Sequence, residues 1–224
     1  MLLWTCLLAS LFIGFSTAAD ICPTPTIATC DPMVYDCCDN NFSNALNLTT
    51  CNNLPDTFSR VECYRTQMES MFGNSIDGGL NVCAAYSDWT RCLGVSLLSC
   101  ESIKFHIQQG LTSGQAINVY TVYSQMAFLC GPGLDTYVNN DACVRNVFNV
   151  YNDQLARCRA TFSANINNNW NNRCQDFREL LGCYQMPFQQ MCGKEVGWFG
   201  CEYERSGITA WLPECSEQCF ANNS

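Results

Sequence analysis

Apolar side chains recur at intervals of three and four residues along three segments, and this spacing predicts three amphipathic helices. The stripes are Val144, Val147, Phe148, Tyr151 and Leu155; Phe177, Leu180, Leu181 and Tyr184; and Ala116, Tyr120, Tyr123 and Ala127. Asn140 or Asp141 is a candidate N-cap for the first helix and Ser113 for the third, while Pro187 is expected to end the second. A brief alternation over residues 103–107 is typical of a strand. The pattern predicts a mainly α-helical fold.

The cysteines recur with similar spacings in two parts of the chain. The gaps in the first set are 12, 11, 19, 8 and 7 residues, and those in the second are 12, 14, 15, 8 and 8. The first set is Cys38, Cys51, Cys63, Cys83, Cys92 and Cys100, and the second is Cys130, Cys143, Cys158, Cys174, Cys183 and Cys192. Tyr86 and Trp89 correspond to Phe177 and Leu180 in this frame. We therefore predict a disulfide-rich helical domain made of two tandem six-cysteine repeats that pack together.

The beginning of the chain is typical of a signal peptide. Residues 2–15 are almost all apolar and carry no charge, and small residues follow at 16–19. A run of about 14 residues is shorter than the roughly 20 that cross a bilayer, which argues against a membrane anchor. The predicted parts are a signal peptide (1–19), an N-terminal cysteine-containing extension (20–37), repeat 1 (38–129), repeat 2 with a C-terminal cysteine extension (130–219) and a tail (220–224).

The cysteine count also indicates export. The chain has 19 cysteines, and removal of Cys6 with the signal peptide leaves an even number that can pair completely. This density is typical of a secreted disulfide scaffold, whereas zinc sites need CxxC or CxxH pairs that this sequence lacks. The six cysteines outside the repeats are Cys22, Cys30 and Cys37, and Cys201, Cys215 and Cys219. We expect all 18 to form disulfides, with the adjacent Cys37 and Cys38 bonded to different partners. One hypothesis joins the first of these trios to the second.

Charge and glycosylation motifs describe the surface. The net charge is −9, from 11 basic and 20 acidic side chains, so nucleic acid and anionic membranes are poor partners. Three Asn-X-Ser/Thr motifs are present, and Asn41 and Asn47 are the favoured glycosylation sites because Asn222 lies too near the end. The predicted product is an acidic, secreted glycoprotein.

The cysteine spacing and aromatic positions such as Tyr86 and Phe177 support a comparison with a known class. Residues 38–192 resemble the invertebrate secreted cysteine-rich helical domains of unknown function that are best known from nematodes. The resemblance implies an extracellular location and a helical disulfide fold. It assigns no activity and no functional residue.

Candidate catalytic groups are few. His106 is the only histidine, and no nucleophile motif lies beside it. Glu195, Glu202 and Glu204 are candidate paired carboxylates without a recognisable pattern, and we interpret them as a solvated acidic face. No motif predicts a cofactor or a metal ion. Trp198 and Phe199 stand between two glycines, which suggests a constrained loop that contacts a partner.

These observations favour a non-enzymatic extracellular protein that acts by binding or as a structural component of a matrix. Its expected partners are an extracellular protein, the matrix or a small apolar ligand. Two alternatives stay open at this point: a carrier that holds a small apolar ligand between helices, and a hydrolase that uses carboxylates.

Overall fold

The computed structural model describes residues 21–220, so the predicted signal peptide and the Asn222 motif lie outside the described residues. Eleven α-helices and three 3₁₀ turns account for the regular structure of this range, which contains no strand. The helices are α1 (Pro32–Ala45), α2 (Thr57–Asn74), α3 (Ile76–Leu93), α4 (Leu97–Cys100), α5 (Ile103–Gln108), α6 (Ser113–Leu129), α7 (Leu134–Asn139), α8 (Asp141–Val150), α9 (Asn152–Asn168), α10 (Arg173–Cys192) and α11 (Lys194–Ile208). The predicted mainly α-helical, disulfide-rich fold is confirmed.

Polar caps account for several helix starts. The Asp56 carboxylate accepts a hydrogen bond from the Ser59 backbone N–H at 2.8 Å, and Ser75 caps α3 in the same way through Gly78 at 3.0 Å. Thr112, rather than the predicted Ser113, caps α6 in a capping box with Gln115. These side chains satisfy backbone donors that the first helical turn leaves without partners.

Three local predictions are wrong. Residues 103–107 belong to α5 and not to a strand, because the Ser102 hydroxyl caps this turn by accepting from the Phe105 N–H. The stripe from Val144 to Leu155 is divided at Tyr151 between α8 and α9. Asn140 directly precedes α8, but its side chain makes no capping hydrogen bond, and its amide nitrogen donates to the Thr136 carbonyl.

The prediction that Pro187 ends a helix is also wrong. Helix α10 continues to Cys192, although proline offers no N–H to the carbonyl one turn earlier. Pro187 is buried, and Phe188 beside it is fully buried in the core. Disulfides at Cys183 and Cys192 hold the helix on both sides of the proline. Burial in the core and the two disulfides therefore offset the free-energy cost of the hydrogen bond that Pro187 cannot make.

One continuous hydrophobic core extends across the boundary predicted between the two repeats. Helix α11 packs against α10 and α6, and α2 packs against α3, α6 and α8. Gly193, with φ of 90°, joins α10 to α11 in a sharp turn. Whether the two cysteine sets arose by duplication stays a prediction.

Nine disulfides include all 18 cysteines of the described range. The pairs are Cys22–Cys37, Cys30–Cys100, Cys38–Cys92, Cys51–Cys63, Cys83–Cys130, Cys143–Cys192, Cys158–Cys183, Cys174–Cys215 and Cys201–Cys219. The different partners expected for the adjacent cysteines of α1 are confirmed. The hypothesis that the two outer trios bond to each other is wrong, because each trio folds back on helices of its own half. Cysteines at the same position in the two predicted repeats form disulfides with partners at different positions.

Within residues 21–220, no helix has both the length and the apolar composition needed to cross a membrane.

Candidate functional site

A cavity of about 740 Å³ lies between α2, α6, α9, α10 and α11. This volume is within the range of roughly 300–1,000 Å³ found for small-molecule sites. Its walls divide into an apolar part and a polar part. The apolar residues are Ile117, Ala156, Ala160, Phe162, Ile166, Trp170, Leu180, Ile208 and Trp211.

Aromatic rings form much of the apolar wall. The Trp211 ring packs 6.0 Å from Phe162 and 6.3 Å from Trp170, measured between ring centroids. Trp170 is half exposed, and the Arg173 guanidinium lies 5.2 Å from its centroid. Phe162 and Leu180 are buried. This part of the wall is therefore apolar, and its two tryptophans are partly exposed at the protein surface.

The polar wall rests on a network that we call the Arg159 cluster: Arg159, Glu69, Glu204, Tyr184 and Tyr203. The Arg159 guanidinium donates to both oxygens of Glu69, at 2.9 and 3.1 Å, and to Glu204 Oε1 at 3.3 Å. It also contacts the Tyr184 hydroxyl, while the Tyr203 hydroxyl donates to Glu69 at 3.4 Å. Each buried charge therefore has an opposite charge and further hydrogen bonds, as buried ions require.

The two charge types in this cluster respond differently to burial. Burial raises the pKa of the Glu204 carboxyl above its ordinary value, although Arg159 and Arg65 act against the shift. For Arg159, burial lowers the pKa, but Glu69, Tyr184 and Glu204 together hold it well above its ordinary value. The guanidinium is therefore a permanent positive charge inside the protein.

Arg65 and Glu62 lie on the same polar wall but are poorly bonded. Arg65 is only 6% exposed, and one of its terminal nitrogens is 3.4 Å from the Asn118 carbonyl and 3.6 Å from Glu62 Oε1. Among the described residues, neither Arg65 Nε nor Glu62 Oε1 has a hydrogen-bond partner, and both atoms are buried. One donor and one acceptor beside the cavity are therefore left unpaired, with almost no accessible surface.

A second polar group, the His106 cluster, consists of His106, Asp39, Tyr35, Tyr64 and Tyr123, next to a smaller cavity of about 220 Å³. His106 is fully buried, and neither ring nitrogen has a partner within residues 21–220. Burial lowers its pKa to about 4. Burial also raises the pKa of Asp39 to about 6, although its carboxylate accepts from the Tyr64 hydroxyl at 3.2 Å.

The structure places the predicted catalytic candidates in different surroundings. His106 contacts aromatic rings, namely Tyr35, Phe105 and Tyr123. The three acidic candidates do not form one face: Glu195 is exposed, Glu202 pairs with Arg205 at 2.8 Å, and Glu204 is buried in the Arg159 cluster. The interpretation of Glu204 as a solvated group is therefore wrong.

The predicted Trp198–Phe199 loop is wrong, because both residues lie in α11. Phe199 is fully buried and Trp198 is partly buried against Phe128. The flanking glycines serve helix packing instead of a turn. A Cβ on Gly200 would lie 2.3 Å from the Phe188 ring, and one on Gly197 would lie 2.7 Å from the Gln189 side chain. Phe199 is thus core, and only Trp198 is left with any surface.

The glycosylation candidates have different surroundings. Asn47 is exposed just after α1, whereas Asn41 is partly buried within α1, with its amide 3.1 Å from Cys22 Sγ. Their glycosylation stays a prediction. In the described range, the sulfurs of Cys22, Cys38 and Cys92 lie within 4.8 Å of one another, but all three are in disulfides and are not free thiolate ligands for a metal.

Sequence reasoning did not identify the charged residues of the cavity. A signal was available, because Arg159 lies in register with the buried Leu155 and Phe162 on one face of α9. Similarly, Arg65 and Glu69 follow the buried stripe of α2. A charged side chain within an apolar stripe indicates a buried ion, but the stripe alone does not name its partner.

Comparisons with known proteins give no match to a family model, to a curated protein or to a solved structure.

Proposed function

We propose that this chain is an extracellular, non-enzymatic protein that carries a small, mostly apolar ligand in the cavity between α2, α6, α9, α10 and α11. The observation that carries the proposal is a cavity of about 740 Å³ with aromatic and aliphatic side chains on one part of its wall and polar or charged side chains on the rest. Pockets of this size are the usual sites of small-molecule binding.

The covalent framework supports both the location and the binding role. Nine disulfides fit a protein that matures in an oxidising compartment. Cys158–Cys183 joins α9 to α10, and Cys174–Cys215 ties the start of α10 to the segment after α11. These bonds restrain the helices that surround the cavity, and a preformed site loses less entropy when a ligand binds.

The arrangement of carboxylates favours binding over hydrolysis. Glu202 and Glu204 line different clefts. Glu204 shares Arg159 with Glu69, so these carboxylates already serve a buried ion network. A role as a matrix component is supported by the disulfides alone and stays a prediction.

Binding of a neutral apolar dye, N-phenyl-1-naphthylamine, tests the proposal. Ala160 lines the cavity and its side chain is exposed there, so Ala160→Trp should fill the site without crowding the core. We expect dye fluorescence to rise with the unaltered protein and not with Ala160→Trp. Ala84→Trp, at an exposed position on α3, is the matched control and should bind as the unaltered protein does. Equal binding by all three proteins would contradict the proposal.

A further inference from the structure

Helices α6 and α11 line a second cleft, of about 590 Å³, that shares no residue with the cavity proposed for the carrier function. Two aromatic side chains of its wall, Tyr120 and Trp198, are partly exposed. Phe128 lies behind Trp198, with the ring centroids 5.9 Å apart. Glu101, which directly follows α4, lines the same cleft. A carboxyl group and aromatic rings therefore face one open space.

The charges of this cleft are unbalanced. Its charged lining consists of Glu101, Glu202 and Arg205. Arg205 Nε donates to both carboxylate oxygens of Glu202, at 2.9 Å each, so these two charges neutralise each other. An anionic ligand would have to compete with Glu202 for the guanidinium. Glu101 is left as the one charged group of the lining that has no opposite charge beside it.

The surroundings of Glu101 favour a cation. Its side chain is partly exposed, and Oε1 accepts a hydrogen bond from the Tyr86 hydroxyl at 3.2 Å. No ion pair within residues 21–220 includes this carboxyl. Burial raises its pKa, although the hydrogen bond from Tyr86 acts against the shift. A cation beside Glu101 would offset this desolvation, because an opposite charge stabilises the ionised form.

We propose that this cleft binds a small organic cation, in which an ammonium group is attached to an apolar or aromatic body. The ammonium group pairs with the Glu101 carboxylate, and the apolar body packs against the rings of Tyr120 and Trp198. Tyrosine and tryptophan rings attract ammonium groups and also offer apolar contact area. The carboxylate supplies the preference for a cation over a neutral or anionic compound of the same shape.

Three phenyl compounds of similar length test this proposal on the unaltered protein. At pH 7, 2-phenylethylamine is a cation, 2-phenylethanol is neutral and 3-phenylpropionic acid is an anion. We expect isothermal titration calorimetry to show that the amine binds about tenfold more tightly than the alcohol, and that the acid binds most weakly. No binding of the amine, equal binding of the amine and the alcohol, or tighter binding of the acid would overturn the proposal.

Glu101→Gln tests the assigned counter-charge. Glutamine has nearly the same size and keeps an oxygen that can accept from Tyr86, but it removes the charge. We expect the affinity for the amine to fall about tenfold, to that of the alcohol, while the affinity for the alcohol is unchanged. Glu179→Gln is the matched control, because it removes a carboxylate at an exposed position on α10 that does not line the cleft. An undiminished preference for the amine in Glu101→Gln would overturn the assignment.

The Ala160→Trp variant separates this proposal from the carrier function. Ala160 lines the larger cavity and not this cleft, so the variant should bind 2-phenylethylamine as the unaltered protein does. Loss of amine binding in this variant would place the cation in the larger cavity and overturn the proposal. The dye experiment decides the carrier function alone, since neither outcome of it depends on Glu101.

Discussion

The Arg159 cluster and the His106 cluster are both buried, but their charges are stabilised to very different degrees. In the first, one guanidinium donates three hydrogen bonds of 2.9 to 3.3 Å to two carboxylates. In the second, Asp39 has hydroxyl partners, and the nearby Arg60 forms its ion pair with Asp36 at 3.9 Å instead. His106 lies next to aromatic rings with both nitrogens unbonded within the described range.

This difference decides which groups stay charged. Opposite charges hold Arg159 in its ionised form despite burial. Desolvation dominates at Asp39 and His106, and it moves the pKa of each toward the neutral form. Burial alone therefore does not predict the charge state, because the number and sign of the partners decide it. Arg159 therefore keeps its charge, whereas Asp39 and His106 should titrate in mild acid.

The largest effect should follow from breaking the ionic cluster. Arg159→Met would leave Glu69 and Glu204 buried without their counter-ion, and we expect a loss of about 3–5 kcal/mol in the free energy of unfolding. Urea denaturation measures this. Arg178→Met, which removes an exposed pair with Glu217, is the control and should cost less than about 1 kcal/mol. Similar small losses in both variants would show that the buried cluster is not needed for stability.

Replacing His106 should change how the stability of the protein depends on pH. His106 has a pKa of about 4 when folded and an ordinary value of 6.5, so the folded state favours the neutral ring. Its contribution to stability is complete above pH 6.5 and is lost as the pH falls toward 4. We therefore expect His106→Phe to gain about 3 kcal/mol over the unaltered protein between pH 7 and pH 4. Parallel stability curves for the two proteins would contradict this expectation.

Replacing Asp39 should change the pH dependence of stability in the opposite direction and by a somewhat smaller amount. Its folded pKa of about 6 exceeds the ordinary 3.8, so the folded state favours the protonated carboxyl. The resulting penalty is present above pH 6 and disappears as the pH falls toward 3.8. Compared with the unaltered protein, Asp39→Asn should lose about 2 kcal/mol of relative stability between pH 7 and pH 4. Thermal unfolding at both pH values measures this, and no change in relative stability would contradict it.

Together, the two pKa shifts predict that the contributions of Asp39 and His106 to the pH dependence of stability largely cancel in the unaltered protein. The gain from Asp39 and the loss from His106 cover overlapping pH ranges and are similar in size, so their sum is nearly flat. Only the single variants expose the two contributions. A double variant that shows the same pH dependence as the unaltered protein would support this cancellation.

Local patterns predicted the fold class well and the site poorly. The stripes along α6, α8 and α10 identify helices because burial imposes a period of 3.6 residues on the sequence. The continuation through Pro187 could not be predicted because it depends on burial and on disulfides to distant cysteines. The ion partners Glu69, Arg159 and Glu204 come from α2, α9 and α11. No spacing in a single sequence indicates that these three helices meet.

The glycine pair around Trp198 and Phe199 illustrates the same limit. Two glycines within four residues are typical of a turn. Here they let α10 and α11 approach closely, since a methyl group at Gly200 would overlap the Phe188 ring. The sequence contains the small residues, but the reason for them lies in a neighbouring helix. The sequence alone therefore favoured the commoner role of glycine, which is to form a turn.

The disulfides near the two ends of the described chain have a consequence for proteolysis. Cys22–Cys37 closes a loop over the segment before α1, and Cys30–Cys100 ties the same segment to α4. Cys174–Cys215 and Cys201–Cys219 do the same for the segment after α11. A protease that cuts the backbone between residues 22 and 30, or between 215 and 219, would release no fragment. The nicked molecule would stay in one covalent piece until a reductant separates it.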